Sequence, residues 1–111
     1  MAYDERLAAR IRNVLADTNG VSERKMFGGL AVLLDGKMAC GVVGDKLMLR
    51  LGRECAEDAL RRPNVRPMDF TGRPMRGMVY VESAGLRGVA LRRWVERAVA
   101  YAGSLPPRRA A

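Results

Sequence analysis

A hydroxyl or thiol becomes a useful nucleophile only when a base stands beside it, and this chain contains no histidine. Its candidate nucleophiles are Ser22, Ser83, Ser104, Thr18, Thr71, Cys40 and Cys55. The lysines Lys25, Lys37 and Lys46 fall at turns and strand ends, with no serine at a known activating spacing. Among the acids, Glu54, Glu57 and Asp58 fall on one short helical stretch, where Glu54 and Asp58 share a face. No oxygen-rich loop accompanies them, so a solvated charge pair is expected rather than a metal site. The two cysteines form no CxxC pair, and without an export signal a disulfide is not expected. Both are read as buried thiols. The expectation is a protein without catalytic residues, cofactor or metal.

The remaining chemistry belongs to arginine. Of 20 basic residues 17 are Arg, and the net charge is +8. Residues 1–60 hold nine basic and nine acidic residues, whereas residues 61–111 hold eleven and three, so the whole excess lies in the second half. Arg61, Arg62, Arg66, Arg73 and Arg76, followed by Arg87, Arg92, Arg93 and Arg97, are the candidate contacts to a phosphate backbone. Within them the loop Thr71–Gly77, TGRPMRG, pairs Arg73 and Arg76 between two glycines. Binding of this kind would be weak, salt-sensitive and mostly independent of sequence. The last helix follows a strand rather than a helix, unlike a helix-turn-helix reader, and Trp94 reads as core rather than as a platform for bases. A genome rich in G and C would also favour Arg codons. The first expectation is therefore a regulatory or protein-interaction module, with nucleic-acid binding second. Its partner would be another protein or a second copy paired through a sheet edge to make a homodimer.

These residues need a scaffold, and the hydropathy pattern supplies one. Residues 3–16 predict a helix, with Leu7, Ile11, Val14 and Leu15 on one side and Asn19-Gly20 as its stop. Residues 24–34 predict a strand with imperfect alternation. Asp35-Gly36 is a two-residue hairpin turn leading into Lys37–Val43, where Met38, Cys40 and Val42 are expected on one face. Gly44-Asp45 turns the chain into Lys46–Leu51, with Leu47, Leu49 and Leu51 facing a helix layer. A short helix over 53–61, an irregular stretch over 64–77, a strand over 78–82 and a long helix over 88–102 complete the order. The sum is an α+β two-layer sandwich: an antiparallel meander sheet with helices packed mainly on one side. Residues 1–103 are expected to form one domain, and 104–111 a flexible basic tail.

The stretch Lys25-Met26-Phe27-Gly28-Gly29 interrupts the first strand signal. It lacks the GK[ST] ending of a phosphate loop, and its glycines feed a strand instead of opening a helix. A bulge, a sharp twist or the close approach of a neighbouring backbone is expected there, with Phe27 packed beside it. The run KMFGGLAVLLDGKMACGVVGDKLMLRLG, with Gly72-Arg73-Pro74-Met75, Gly77-Met78-Val79-Tyr80-Val81, Leu91 and Trp94, resembles the N-terminal domain of the TfoX (Sxy) family of competence regulators over roughly residues 5–102. The resemblance implies a small α/β module, often found alone in bacterial proteins. In the competence regulators a helical C-terminal domain follows it, and this sequence shows none. It carries over no catalytic residue. Glu82-Ser83 stands where a proline is expected in many relatives, a change that bears on the local turn.

At 111 residues the chain makes one domain of ordinary size, and 49% apolar residues suffice for a core. No apolar run is long enough to cross a bilayer, and MAYDERLAARI is too charged for a signal peptide. A cytoplasmic protein without membrane contact is the expectation.

Overall fold

The computed structural model describes residues 3–26, 28–68 and 76–106. Helix α1 (Glu5–Val14) starts at Asp4, whose carboxylate accepts hydrogen bonds from the backbone N–H groups of Arg6 (2.8 Å) and Leu7 (3.2 Å). Its inward face is Leu7, Ala8 and Ile11. Four consecutive antiparallel strands follow: β1 (Val21–Met26), β2 (Gly29–Leu34), β3 (Lys37–Val43) and β4 (Lys46–Arg50). Helix α2 (Arg53–Ala59) leads to β5 (Val65–Pro67). Then come β6 (Met78–Val81), a 3-10 turn over Ser83–Gly85 and helix α3 (Ala90–Ser104). The sheet order is β1-β2-β3-β4-β6-β5, and every pairing is antiparallel. The α+β meander architecture with a helix layer is therefore present.

Three expectations are corrected. The single strand over 24–34 is two strands, and KMFGG straddles the turn between them. Gly28 takes φ +71 at that turn. Gly29 opens β2 so close to β3 that a Cβ there would collide with the Val42 carbonyl oxygen and lie 3.2 Å from a Val43 methyl. The glycines thus turn a hairpin between two strands, and Gly29 makes the close approach to a neighbouring backbone that is one of the alternatives expected there; the packing of Phe27 lies outside the described residues. Second, Val65–Pro67, inside the stretch read as irregular, pairs with β6 and forms the far edge of the sheet. Third, Met38 does not share a face with Cys40. The register shifts between Val32 and Leu33, which pair with Cys40 and Met38, so Ala39 is an extra residue that reverses the alternation.

The main core lies between the sheet and the helices. Leu30, Val32, Cys40, Val42, Leu47, Leu49, Val79 and Val81 from the sheet meet Leu7 and Ile11 of α1 and Leu91, Val95 and Ala98 of α3. Leu47, Leu49 and Leu51 face this layer as the alternation predicts. Trp94 is also core, at 8% exposure. The opposite face of the sheet is not a wet surface, since Ala31, Leu33 and Met48 on it are buried as well. Helix α3 runs on through Ser104, two residues beyond its expected end, and the terminal residues 107–111 lie outside the described part. Among the described residues no helix is long and apolar enough to cross a membrane.

Candidate interaction surface

Helices α2 and α3 are distant in sequence, and β6 brings them together. The strand pairs with β4, whose end leads through Gly52 into α2, and its own end leads through the 3-10 turn to α3. Between the two helices lies an open groove of about 620 Å³. Its floor is apolar: Leu51, Ala100, the stem of Cys55 and the ring of Tyr101. Its rim is charged on both sides, with Glu54 and Asp58 on α2 and Arg97 on α3. The shared face expected for Glu54 and Asp58 is thus one wall of a groove.

The thiols differ from their expectation. Cys40 is buried in β3, and burial pushes its thiol up to about 12, so it is neutral and unreactive at ordinary pH. Cys55 is exposed and lines the groove, which corrects the reading of two buried thiols. No group of three or more potential metal ligands occurs among the described residues.

The candidate arginines are dispersed rather than gathered in one patch. Arg62 and Arg97 converge on Trp94, with guanidinium carbons 5.9 and 5.2 Å from the ring centroid. Arg61 precedes Arg62 just after α2, and Arg93 lies one turn before Arg97 on α3. Arg66 is on edge strand β5 and pairs with Glu82 at 3.4 Å. Arg92 pairs with Glu96 at 3.9 Å, the i,i+4 contact expected from the sequence. Arg76 lines a separate small hollow with Arg53, Leu60 and Met78. Arg73 lies outside the described residues, as does most of its loop. In the glycine motif, Lys25 and Met26 end β1, with Lys25 exposed at the sheet edge.

Neither edge of the sheet invites pairing. Strand β5 is three residues long and ends in Pro67, which has no N–H to offer. Strand β1 is longer, but Glu23, Arg24 and Lys25 are exposed along it. An antiparallel copy that set Glu23 against Lys25 would set Arg24 against Arg24. Glu23 is also engaged already: Arg12 donates to both its carboxylate oxygens at 2.7 and 2.9 Å, which ties α1 to β1 and holds the carboxyl below its usual range.

The sequence reading missed one set of residues altogether. Arg24 of β1, Lys37 of β3 and Arg50 of β4 border a second hollow of about 490 Å³, near the β2–β3 turn and the end of α3. All three fall in the half of the chain whose charges sum to zero. Only the strand order brings them together.

Compared with known proteins, residues 13–102 match the family of the TfoX N-terminal domain. That span covers most of the chain and includes every strand and both α2 and the larger part of α3. No curated protein and no solved structure matches it.

Proposed function

The chain belongs to the TfoX N-terminal domain family, and on that footing we propose that it is a non-enzymatic, regulatory protein-interaction module that docks a partner in the α2–α3 groove. The groove carries this reading. It combines an apolar floor with opposed charged rims, the make-up of a site that buries one apolar anchor and orients it by charge. The edges of the sheet, blunted by Pro67 and by the charges of β1, favour the groove as the docking surface.

The groove contains its own reporter. Because Cys40 is sealed in the core, a maleimide probe reads Cys55 alone. The full chain, tagged and recovered from its own cells, is expected to retain a stoichiometric partner and to label severalfold more slowly at Cys55 in that complex. Ala100→Trp fills the groove and should release the partner without unfolding the domain, since Ala100 is exposed. A partner that stays on the variant, or a complex in which Cys55 labels at the free rate, would move the interface elsewhere.

A second reading, nucleic-acid binding, is favoured by one observation on α3. Along α2 and the turn that follows it, and on α3, the i,i+4 pairs Arg53–Glu57, Asp58–Arg62 and Arg92–Glu96 set a base against an acid. The pair Arg93–Arg97 sets two arginines together, with no carboxylate partner among the described residues, beside the Trp94 ring that also holds Arg62. Neighbouring guanidinium groups without a carboxylate partner suit phosphate. Trp94 is too buried to stack on bases, so contact would be through the backbone alone. Anisotropy of labelled single-stranded DNA should fall steeply with salt. Arg93→Gln/Arg97→Gln should flatten the log–log slope by about 1.4, at roughly 0.7 for each phosphate no longer neutralised. An unchanged slope in that variant, or no binding at low salt, removes this reading.

A further inference from the structure

The second hollow differs from the groove in the sign of its rim. Arg24, Lys37 and Arg50 border it, and no acidic side chain does so among the described residues. Its apolar lining is Met26, Leu33, Met38 and Leu105, with Pro106 at one end. The bulge at Ala39 turns Met38 to the same side as Leu33, which supplies half of that lining.

The charges around it are left unneutralised, as are those of Arg93 and Arg97, whereas six other described cations are paired. Arg12, Lys46, Arg53, Arg62, Arg66 and Arg92 each have a carboxylate within 4.0 Å. Arg24, Lys37 and Arg50 have none among the described residues, although they come from three different strands. Two of them are already held in place. The Lys37 ammonium donates to the Leu105 carbonyl at 3.1 Å and keeps two further N–H groups. The Arg50 guanidinium lies 5.9 Å from the centroid of the Tyr101 ring, which itself lines the α2–α3 groove. Unneutralised cations of one sign around an apolar floor attract an anion and then favour one with an apolar body. The volume falls in the range of small-molecule sites, about 300–1,000 Å³.

We propose that this hollow is a binding site for a small organic anion: a carboxylate, sulfate or phosphate head held by Arg24, Lys37 and Arg50 on a short aliphatic or aromatic body laid over Met26, Leu33, Met38 and Leu105. The site is separate from the partner groove, and its ligand is a free solute. It stands or falls independently of the docking reading, because Ala100→Trp leaves its lining untouched.

Calorimetric titration of the full chain with three probes tests it. Decanoate has both head and body, acetate the head alone, and decyltrimethylammonium the same body with the opposite charge. Decanoate is expected to bind in the micromolar to low millimolar range, at least about tenfold more tightly than either control. Arg24→Gln/Arg50→Gln should weaken decanoate by at least about tenfold, while Arg66→Gln, on the distant sheet edge, should leave it unchanged. Circular dichroism of each variant confirms the fold. Equal binding of decyltrimethylammonium would show a greasy surface without charge selection and overturn the proposal. So would acetate binding as tightly as decanoate, no decanoate binding, or equal losses in Arg66→Gln and the double variant.

Discussion

Gly29→Ala is expected to destabilise the domain by about 3 kcal/mol, the upper part of the usual range for overpacking. For a domain near this size that is a fall in melting temperature of roughly 15–20 °C. The reason is space and not backbone freedom. A methyl at Gly29 would strike the Val42 carbonyl oxygen, which belongs to β3 backbone and has no rotamer to change. Relief requires β2 and β3 to separate at a point where Leu30 and Val42 both enter the core. Gly28 is the opposite case. It has open space around it but takes φ +71. Gly28→Ala should therefore cost roughly 1–2 kcal/mol, and Gly28→Asn less, because Asn tolerates that conformation. Thermal melts of the three variants check the assignment. Equal losses at the two glycines, or a harmless Gly29→Ala, would show that the close β2–β3 approach is not what the second glycine secures.

Much of this scaffold is legible in the sequence wherever the determinant is local. Asp4 before a helical stripe of Leu7 and Ile11 announces α1, and Asp35-Gly36 between apolar runs announces the β2–β3 turn. What escapes has a non-local cause. VSERKM lacks an apolar face because β1 is an edge strand; its place is set by pairing with β2, so its signal merges with the following run. Val65–Pro67 is a strand only because β6 returns beside it. The bulge at Ala39 hides in MACGVV, whose alternation reads as unbroken, yet it decides which side of the sheet Met38 serves.

The same limit applies to the surface. Counting charges along the chain points to the second half, but Arg66 and Arg92 there are met by Glu82 and Glu96. Arg24, Lys37 and Arg50 sit in a stretch of zero net charge whose acids are directed elsewhere, including Glu23 toward Arg12. Net charge over a segment averages over directions that only the strand order separates. The α2–α3 groove is likewise absent from any local window, since its two walls are joined by residues 60–89. The family match and the sequence resemblance agree on the family, while the two hollows rest on particular side chains of this chain.

The burial of both faces of β4 leads to the second large effect. Leu49 is fully buried on the helix side, between Cys40 and Val79 in the register, and Leu49→Ala should cost about 3–4 kcal/mol in lost burial and residual cavity. A sheet with one dry face would make its neighbour Met48 nearly neutral. Met48 is instead 1% exposed on the side away from the helices, opposite Gly41, where the absence of a side chain leaves room for the methionine methyl. Met48→Ala should therefore also cost about 2–3 kcal/mol, less than Leu49 because a flexible neighbourhood of Met and Gly collapses more readily. Leu60→Ala, at an exposed position, is the reference and should stay within about 0.5 kcal/mol of the parent. Urea unfolding of the three variants, read at constant m, decides the point. If Met48→Ala behaves like Leu60→Ala, the far face of the sheet is wet in solution and the domain has a single core. A loss close to that of Leu49→Ala means that both faces of β4 are core. Substitutions on the far face would then have to be screened for folding before any weakening of ligand binding at the adjoining Arg24–Lys37–Arg50 hollow is read as a direct effect.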